Sequence, residues 1–425
     1  MEQTPKANRV HIGFFGRCNA GKSTLINMLT DQPVSLVSEV AGTTTDPVSK
    51  SMEILPLGPV VITDTAGIDD TSELGALRIE KSEEIIKKIN LAVYVLRNDE
   101  APTADDMMWL NKLKQNNVPI ALFINKINSS DSESACDNDS NGNDTNLNYV
   151  DAYPDLSAIA TVVGSTDFTS NRDRLTLLDL LGGLTPLDVE GEQSLLQGLV
   201  DPGDTIILVC PIDSAAPKGR LILPQVQTIR EILDHKGLAL VCQTEELPTM
   251  LNKLSQKPKL VITDSQAFEA VNALTPADIP LTSFSILMAR FKGKLQDLVT
   301  GVKALNNLKP GARVLISEGC THRRQCDDIG TVKIPMWLKK KGHTDLQLEF
   351  TSGGAFPKDV SGYDLIIHCG ACMLTRREVL RRIDCAVVQG TPIVNYGVLI
   401  ASLHGILERA ISPFMDELDR KGFEC

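Results

Sequence analysis

The chain has 425 residues, too many for one hydrophobic core, so two or three domains are expected. Hydrophobic residues make up 42% and charged residues 23% of the chain, as in ordinary globular proteins. The net charge of −12 argues against a broad basic surface for nucleic acid, and no stretch approaches the roughly 20 apolar residues that a membrane helix needs.

The N-terminal residues, MEQTPKANRV, lack both the apolar core of a secretory signal and the arginine-rich character of a transit peptide. We therefore expect a cytoplasmic location, with an organellar matrix as the alternative. Six of the ten cysteines fall in the last quarter of the chain. Without a leader, cysteines serve more often as thiols or metal ligands than as disulfides.

Short apolar runs alternate with helix-forming stretches in the N-terminal part, which indicates β-α units around a largely parallel sheet. The tract 129–148 is rich in Asn, Asp and Ser and cannot help to form a core, so we predict a disordered surface insertion. The pattern resumes near Ile159–Gly164, and a helix at Leu175–Leu181 closes the domain. The strands predicted before the insertion are Val10–Phe15, Val60–Thr63, Leu91–Leu96 and Pro119–Ile124.

Two further β-α series follow the Gly/Pro-rich joint at Gly182–Pro186. The first has predicted strands at Thr205–Pro211, Leu238–Cys242 and Lys259–Thr263, with helices at Gln225–Asp234 and Glu246–Leu254. The second has predicted strands at Arg313–Ser317, Leu346–Phe350 and Asp364–Ile367. The fold class is therefore α/β, with an N-terminal domain over 1–182 and two smaller domains with largely parallel sheets over 187–276 and 277–425.

A phosphate-binding loop is predicted between the first strand and a helix-forming segment, where residues 16–23 fit G-x-x-x-x-G-K-S. Gly16 and Gly21 let backbone N–H groups close around phosphate oxygens, and the helix N-terminus adds a favourable dipole. Lys22 would contact the β- and γ-phosphates, and the Ser23 hydroxyl would bind Mg²⁺. The N-terminal domain is thus a P-loop domain, and Ala20 and Thr24 complete this part of the predicted nucleotide site.

Two switch motifs accompany the loop in the order found in GTPases. Asp64 ends the strand Val60–Thr63 and would hold Mg²⁺ through water, while the N–H of Gly67 would contact the γ-phosphate. The run Gly42–Asp46 lies between the phosphate loop and Asp64 in the chain. We assign its Thr44 hydroxyl to the Mg²⁺ shell of the triphosphate-bound state. The order and spacing favour this interpretation over a solvated threonine-rich loop.

The base-recognition motif departs from the common pattern. Asn125, Lys126 and Asn128 follow the strand Pro119–Ile124, where GTPases usually carry Asn-Lys-x-Asp. The usual carboxylate accepts two hydrogen bonds from guanine, whereas Asn128 offers one acceptor and turns its NH₂ toward the other donor. GTP is the predicted nucleotide, with weakened base specificity.

These motifs resemble the translation-factor-like GTPases of the Era/MnmE type, whose loop reads G-x-x-N-x-G-K-S. Asn19 stands at the Asn position, and the run Gly42–Asp46 is similar to their G-T-T-R-D with Thr45 in place of Arg. The resemblance implies a slow GTPase that dimerises and lacks an arginine finger. It also implies that Asn19 binds K⁺ beside the phosphates. Simple capping of the loop is the alternative role for Asn19.

Cysteine and histidine residues follow two predicted strands at the point where each ends. Cys320 and His322 come after Arg313–Ser317, and the segment His368–Cys372, which reads HCGAC, comes after Asp364–Ile367. Ligand sites form at the carboxyl ends of parallel strands, so we expect the two groups to converge. The C-x-x-C pair suits both Zn²⁺ and an iron–sulphur cluster, and its spacing alone leaves both open.

Cys-x-His, a long spacer and His-Cys-x-x-Cys behind a GTPase domain resemble the [FeFe]-hydrogenase maturation GTPase family, over most of the chain. The resemblance implies a [4Fe–4S] cluster on Cys320, Cys369 and Cys372. It implies a labile fourth position, for which the candidates are His322, His368 and Asp327. It further implies a homodimer, joined through the middle domain, that assembles or delivers the di-iron subcluster, with the hydrogenase apoprotein and radical-SAM maturases as partners.

Two other classes of protein remain open. One is an Era-like GTPase associated with RNA or the ribosome and carrying structural zinc, which the net charge of −12 disfavours. The other is a regulatory switch protein without a metal. The pairs Arg323–Arg324, Arg376–Arg377 and Arg381–Arg382 are either a solvated surface or a positive rim for an anionic di-iron species. Cys326 is assigned no ligand role, and Cys210, Cys242 and Cys385 are expected in the core.

Overall fold

A computed structural model of the chain describes residues 9–30, 48–54, 58–65, 82–126, 152–166, 171–184, 194–212, 221–319, 328–353 and 355–419. Their contacts divide the chain into two units, 1–191 and 192–425. None of the described helices combines the length and the apolar composition needed to cross a lipid bilayer. The predicted insertion at 129–148 lies outside the described residues.

Six strands form the sheet of the first unit: β1 (Val10–Phe15), β2 (Val48–Ile54), β3 (Gly58–Asp64), β4 (Leu91–Arg97), β5 (Ile120–Asn125) and β6 (Val162–Thr166). Their order is β2-β3-β1-β4-β5-β6. Every neighbouring pair is parallel except β2 and β3, which are antiparallel. The carboxyl ends of the parallel strands therefore lie on one edge of the sheet.

The helices of this unit include α1 (Lys22–Thr30), α2 (Ala104–Gln115), α3 (Pro154–Ile159) and α4 (Asn171–Leu184), and residues 82–86 are also helical. Successive side chains of β1 point to opposite faces of the sheet, so Phe14 and Phe15 enter different cores. Phe14 packs in the cluster that includes residues of α1 and α4, and Phe15 packs with Trp109 of α2. A β1-type strand buried on both faces is the expected consequence of helices on both sides of a parallel sheet.

The second unit contains two four-stranded sheets. Their strands are β7 (Thr205–Val209), β8 (Leu238–Cys242), β9 (Leu260–Thr263), β10 (Leu281–Ser283), β11 (Arg313–Glu318), β12 (Gln347–Ser352), β13 (Leu365–His368) and β14 (Ile393–Asn395). The orders are β10-β9-β7-β8 and β12-β11-β13-β14, and all pairs are parallel. The boundary predicted at 276/277 falls before β10, which pairs with β9 in the first of these sheets.

The described α-helices of the second unit are α5 (Leu223–Asp234), α6 (Leu247–Lys253), α7 (Phe268–Leu274), α8 (Phe284–Lys292), α9 (Leu295–Leu305), α10 (Ile334–Lys340), α11 (Arg376–Val388), α12 (Tyr396–Leu403), α13 (Leu407–Ile411) and α14 (Met415–Asp419). A single hydrophobic cluster includes residues of both sheets. Arg409 of α13 also donates to the carbonyls of Thr275 and Ile279, at 3.1 and 3.0 Å, beside the middle sheet. The two sheets therefore share one core.

Candidate functional site

The phosphate loop connects β1 to α1 and has a backbone that only glycine adopts easily at two positions. Gly16 has a φ of 138° and Gly21 a φ of 102°. A Cβ atom at Gly16 would lie 2.4 Å from the carbonyl oxygen of Val95 in β4. The left-handed φ and the close approach of β4 together exclude a side chain there. The loop is thus held tightly against the sheet.

Lys22 is the first residue of α1 and is 8% exposed. Its Nζ donates to the carbonyl oxygens of Gly16, at 2.9 Å, and Arg17, at 2.8 Å, so the ammonium lies over the loop. Ala20 is buried, whereas Asn19, Ser23 and Thr24 are exposed. The ammonium and the exposed hydroxyls at the start of α1 are therefore placed at the helix terminus that binds anions.

Asp64 ends β3 beside the loop. Burial raises the pKa of its carboxyl, and attraction from the Lys22 ammonium opposes that rise. Its Oδ1 atom is buried and has no hydrogen-bond partner among the described residues. A buried carboxylate oxygen without a partner is costly unless a cation or water satisfies it. Together with the Ser23 hydroxyl, Asp64 offers the hard oxygen donors that Mg²⁺ prefers, so these residues fit the ion.

Asn125 ends β5 and connects the predicted base-recognition segment to the phosphate loop. Its Nδ2 donates to the carbonyl oxygen of Ala20 at 3.1 Å, and Lys126 follows as a half-buried residue. The remaining predicted residues of the nucleotide site, Thr44, Gly67 and Asn128, lie outside the described residues.

Arg17, which had no predicted role, connects the phosphate loop to two acidic residues near α2. It forms ion pairs with Glu100, at 2.7 Å, and with the buried Asp106, at 3.3 Å. Asp106 also closes the capping box of α2 with Thr103, and it accepts from Tyr94 at 2.9 Å. The capping-box spacing T-x-x-D was a readable helix signal, but the contact with Arg17 was not, because it joins distant segments.

The C-x-x-C loop and Gly319, the residue before Cys320, meet at the carboxyl edge of the third sheet. β11 and β13 are neighbours, with Ser317 in register with His368. The backbone N–H of Gly319 donates to the Sγ atom of Cys369 at 3.0 Å, and Ala371, with a φ of 56°, donates to the same sulphur at 3.3 Å. Gly319 follows β11 and directly precedes Cys320. The end of β11 therefore lies beside Cys369. Cys320, His322, Cys326 and Asp327 themselves lie outside the described residues.

The loop that carries Cys369 and Cys372 is supported from below by a buried ammonium. Lys292, the last residue of α8, is 2% exposed and donates to the carbonyl oxygens of Cys372, at 3.1 Å, and Leu374, at 2.8 Å. Burial raises the pKa of the Cys372 thiol, Cys369 adds to the rise, and Lys292 opposes it. The fixed positive charge favours thiolate ligands at this loop.

Two soft thiols on a tight loop suit a cluster or zinc, but they are not a complete site. Among the described residues, no group of three His, Cys, Asp or Glu side chains is placed to hold a metal ion. The third thiol of the predicted set, Cys320, lies outside the described residues. The donors present therefore fit an iron–sulphur cluster in type and are two of the three predicted.

His368 is 4% exposed, and both of its ring nitrogens have protein partners. Nδ1 lies 2.9 Å from the carbonyl oxygen of Cys369, and Nε2 lies 3.2 Å from Nη1 of Arg382. Arg382 is fully buried in α11, not solvated or at a positive rim. This placement could not be predicted from the sequence, because a buried arginine has no local sequence signal.

Three family models match successive parts of the chain. A 50S ribosome-binding GTPase model matches residues 11–126. The hydrogen maturase F dimerization domain matches residues 195–293, and the hydrogen maturase F tetramerization domain matches residues 296–413. The last two ranges together take in more than half of the 425 residues.

Individual curated relatives match a shorter part of the chain. The tRNA modification GTPase MnmE of Endomicrobium trichonymphae is 32% identical over 121 residues, which are 28% of this chain and 26% of that protein. GTPase Der of Campylobacter curvus is 35% identical over 118 residues, 28% of this chain and 25% of that protein. The chain thus spans about a quarter of the length of these curated relatives.

A solved structure of Era from Aquifex aeolicus, bound to GDP and aluminium fluoride, matches 58% of this chain and 98% of its own at 18% identity and a TM-score of 0.33. The N-terminal unit is a P-loop GTPase domain, and α/β layers with mostly parallel sheets follow it. With both of its maturase domains present behind that GTPase domain, the chain belongs to the hydrogen maturase F family.

Proposed function

We propose that this protein is a GTPase that carries an iron–sulphur cluster and assembles or delivers the di-iron subcluster during [FeFe]-hydrogenase maturation. The observation that carries the proposal is the hydrogen bond from Gly319 N–H to Cys369 Sγ, which holds the residue before Cys320 at the C-x-x-C loop. The match to two hydrogen maturase F domains supports the maturation role. The hydrogenase apoprotein and radical-SAM maturases are the proposed partners, and the cytoplasm is the proposed location.

At the N-terminal site, the residues divide the work of phosphoryl transfer among them. Lys22 binds the β- and γ-phosphates, Ser23 and Thr44 hold Mg²⁺, and Asp64 holds it through water. Gly67 contacts the γ-phosphate. Mg²⁺ held by these residues would supply positive charge against the phosphate oxygens. Asn125, Lys126 and Asn128 contact the base, with reduced discrimination for guanine because Asn128 replaces the usual carboxylate.

At the C-terminal site, Cys320, Cys369 and Cys372 hold a [4Fe–4S] cluster, and its fourth iron keeps a weak, exchangeable ligand. Iron and acid-labile sulphide in anaerobically purified, brown protein are the expected result. Colourless protein with one zinc per chain would instead support an RNA-associated GTPase with a structural zinc site. Protein with neither metal would support a regulatory switch, and both outcomes would contradict the cluster proposal.

K⁺ is proposed to bind beside the phosphates through Asn19, whose exposed side chain stands in the loop at a φ of 58°. GTP hydrolysis should be severalfold faster in K⁺ than in Na⁺ at equal ionic strength, because the cation compensates the negative charge of the transition state. Asn19→Ala should erase the difference. Phosphate-release rates in the two salts provide the measurement.

Asn117→Ala is the matched control, because Asn117 is an exposed Asn with a φ of 53° far from the loop in sequence. It bears the same backbone strain and should keep the preference for K⁺. Equal rates of the unmodified protein in the two salts would refute the assignment of Asn19.

The proposed homodimer uses the edge strand β8. Its apolar side chains are unusually exposed, with Leu238 57% and Val241 43% exposed, and among the described strands β8 has only β7 as a sheet neighbour. An exposed apolar edge strand is a template for pairing with another chain, and this strand lies within the matched dimerization domain. A second copy of this chain is therefore the proposed occupant.

Leu238→Lys should weaken the dimer by about tenfold or more, because a charge enters the apolar edge. Sedimentation velocity over a concentration series measures the change. Leu274→Lys is the control and should leave the dimer intact. Leu274 is the last residue of α7 in the same matched domain and is 39% exposed. An unchanged dimer for Leu238→Lys would place the interface elsewhere.

A further inference from the structure

Arg382 is a buried cation that contacts the carboxyl ends of three neighbouring strands. Its side chain is 1% exposed. Nη2 donates to the carbonyl oxygen of Gly353, directly after β12, at 2.6 Å, and Nη1 donates to Ser317 Oγ in β11 at 3.5 Å. Nη1 also lies 3.2 Å from Nε2 of His368, the last residue of β13. One guanidinium thus joins β12, β11 and β13 at the edge from which the cysteines emerge.

Glu378, in the first turn of α11, holds this guanidinium in place. Its Oε1 accepts from Arg382 Nε at 2.8 Å, and Arg381 donates to both of its oxygens at 2.8 Å. Burial alone would raise the pKa of Glu378, but the hydrogen bonds from Arg381 and Arg382 outweigh it and lower that pKa. The ring of Phe356 lies 5.2 Å from the Arg382 guanidinium carbon and completes its enclosure.

The contact with Arg382 determines what His368 can do. Arginine nitrogens only donate, so Nε2 of His368 accepts from Nη1 and carries no proton. The proton therefore sits on Nδ1, which donates to the carbonyl oxygen of Cys369 at 2.9 Å. Neither nitrogen of this tautomer has a lone pair left for a metal. In this arrangement His368 fixes the backbone of Cys369 rather than serving as a ligand.

We propose that Arg382 is the positioning residue of the cysteine site, and this proposal rests on the proposed cluster-binding function. It joins the ends of three strands and so keeps Gly319, at the end of β11, against the Cys369 loop. Through His368 it fixes the carbonyl of Cys369 and withholds the imidazole from the metal.

Arg382→Met and Arg382→Lys test this role in the full-length protein. Without a planar fork that reaches three strand ends, amides of residues 313–319 and 365–375 in the cluster-free protein should exchange hydrogen about tenfold faster. Amides of β7 and β9 should be unaffected. After anaerobic reconstitution, both variants should lose iron to a chelator about tenfold faster or more, as loss of a supporting hydrogen bond does at metal sites.

Two matched controls separate positioning from general stability. Arg381→Met removes the adjacent arginine, which binds Glu378 but does not reach the strand ends in any hydrogen bond described for it. Arg409→Met removes another arginine that bridges segments of the same unit. The hydrogen bonds of Arg409 go to residues 272–279 and not to the cysteine loop. Arg409→Met should lower the melting temperature yet retain iron, and Arg381→Met should retain iron and the local protection from exchange.

His368→Gln provides an independent spectroscopic test, because the amide can still accept from Arg382. Any nitrogen coupling in the pulsed EPR spectrum of the reduced cluster should persist, and its loss would show that His368 is a ligand. If Arg382→Met does not fold, Arg382→Lys carries the test. Unchanged exchange and iron retention in Arg382→Lys, or equal iron loss in either control, would overturn the proposal. Failure of the unmodified protein to bind iron would refute the cluster function instead, while the exchange data would still judge the strand contacts.

Discussion

Lys22→Ala is expected to lower GTP hydrolysis by about a hundredfold or more, because it removes the cation that stabilises charge on the transferred phosphate. The ammonium donates to the loop carbonyls of Gly16 and Arg17, which hold it at the phosphate loop. The phosphate site and the cysteine site belong to separate units. Iron bound by the variant should therefore equal that of the unmodified protein. Single-turnover hydrolysis and iron analysis measure the two effects.

Lys88→Ala is the control for this substitution. Lys88 is a surface residue whose ion pair with Glu84 spans 3.7 Å, and exposed pairs of this kind contribute little to stability. Hydrolysis should be unchanged in that variant. A parallel loss of iron in Lys22→Ala would contradict the independence of the two sites.

Cys320→Ser, Cys369→Ser and Cys372→Ser should each lose most of the reconstituted [4Fe–4S] cluster. A serine hydroxyl does not replace the soft thiolate that iron requires. Cys369 has a second role, since its sulphur accepts from Gly319 at 3.0 Å and from Ala371 at 3.3 Å. Iron and sulphide per chain, together with the visible absorption of the cluster, provide the measurement.

Two cysteines outside the predicted ligand set serve as controls. Cys385→Ser changes a half-buried thiol of α11 that contacts Gln389 at 3.2 Å, and Cys326→Ser changes the cysteine assigned no ligand role. Both should retain the cluster. His322→Ala and Asp327→Ala should keep the iron but alter the EPR signal, since solvent can replace a weak fourth ligand. Complete iron loss in Cys326→Ser would show that the ligand set is wrong.

Strands that carry long apolar runs could be predicted from the sequence. The predicted Val10–Phe15 and Leu238–Cys242 coincide with β1 and β8, and Leu91–Leu96 falls one residue short of β4. Burial on both faces makes most residues of β1 and β4 apolar, and that pattern is local. β8 is equally apolar although it is an exposed edge strand. Three strands were not predicted. β2 is a largely polar edge strand, and β10 and β14 have only three residues, too few to show a period.

The candidate sites divide along the same line. The phosphate loop, the Asp64 motif and the two cysteine groups are each a short continuous segment, and their chemistry follows from residue type and spacing. The sequence by itself therefore determined a P-loop GTPase domain and the cysteine segments that follow two strands. Only the tertiary structure decided that Gly319 bonds to Cys369, that Lys292 bonds to the C-x-x-C loop and that Arg382 contacts His368 and the ends of the neighbouring strands. These contacts join residues that are 50, 80 and 14 positions apart. A buried charge is stable only where several distant segments supply its partners at once, and no local pattern records that arrangement.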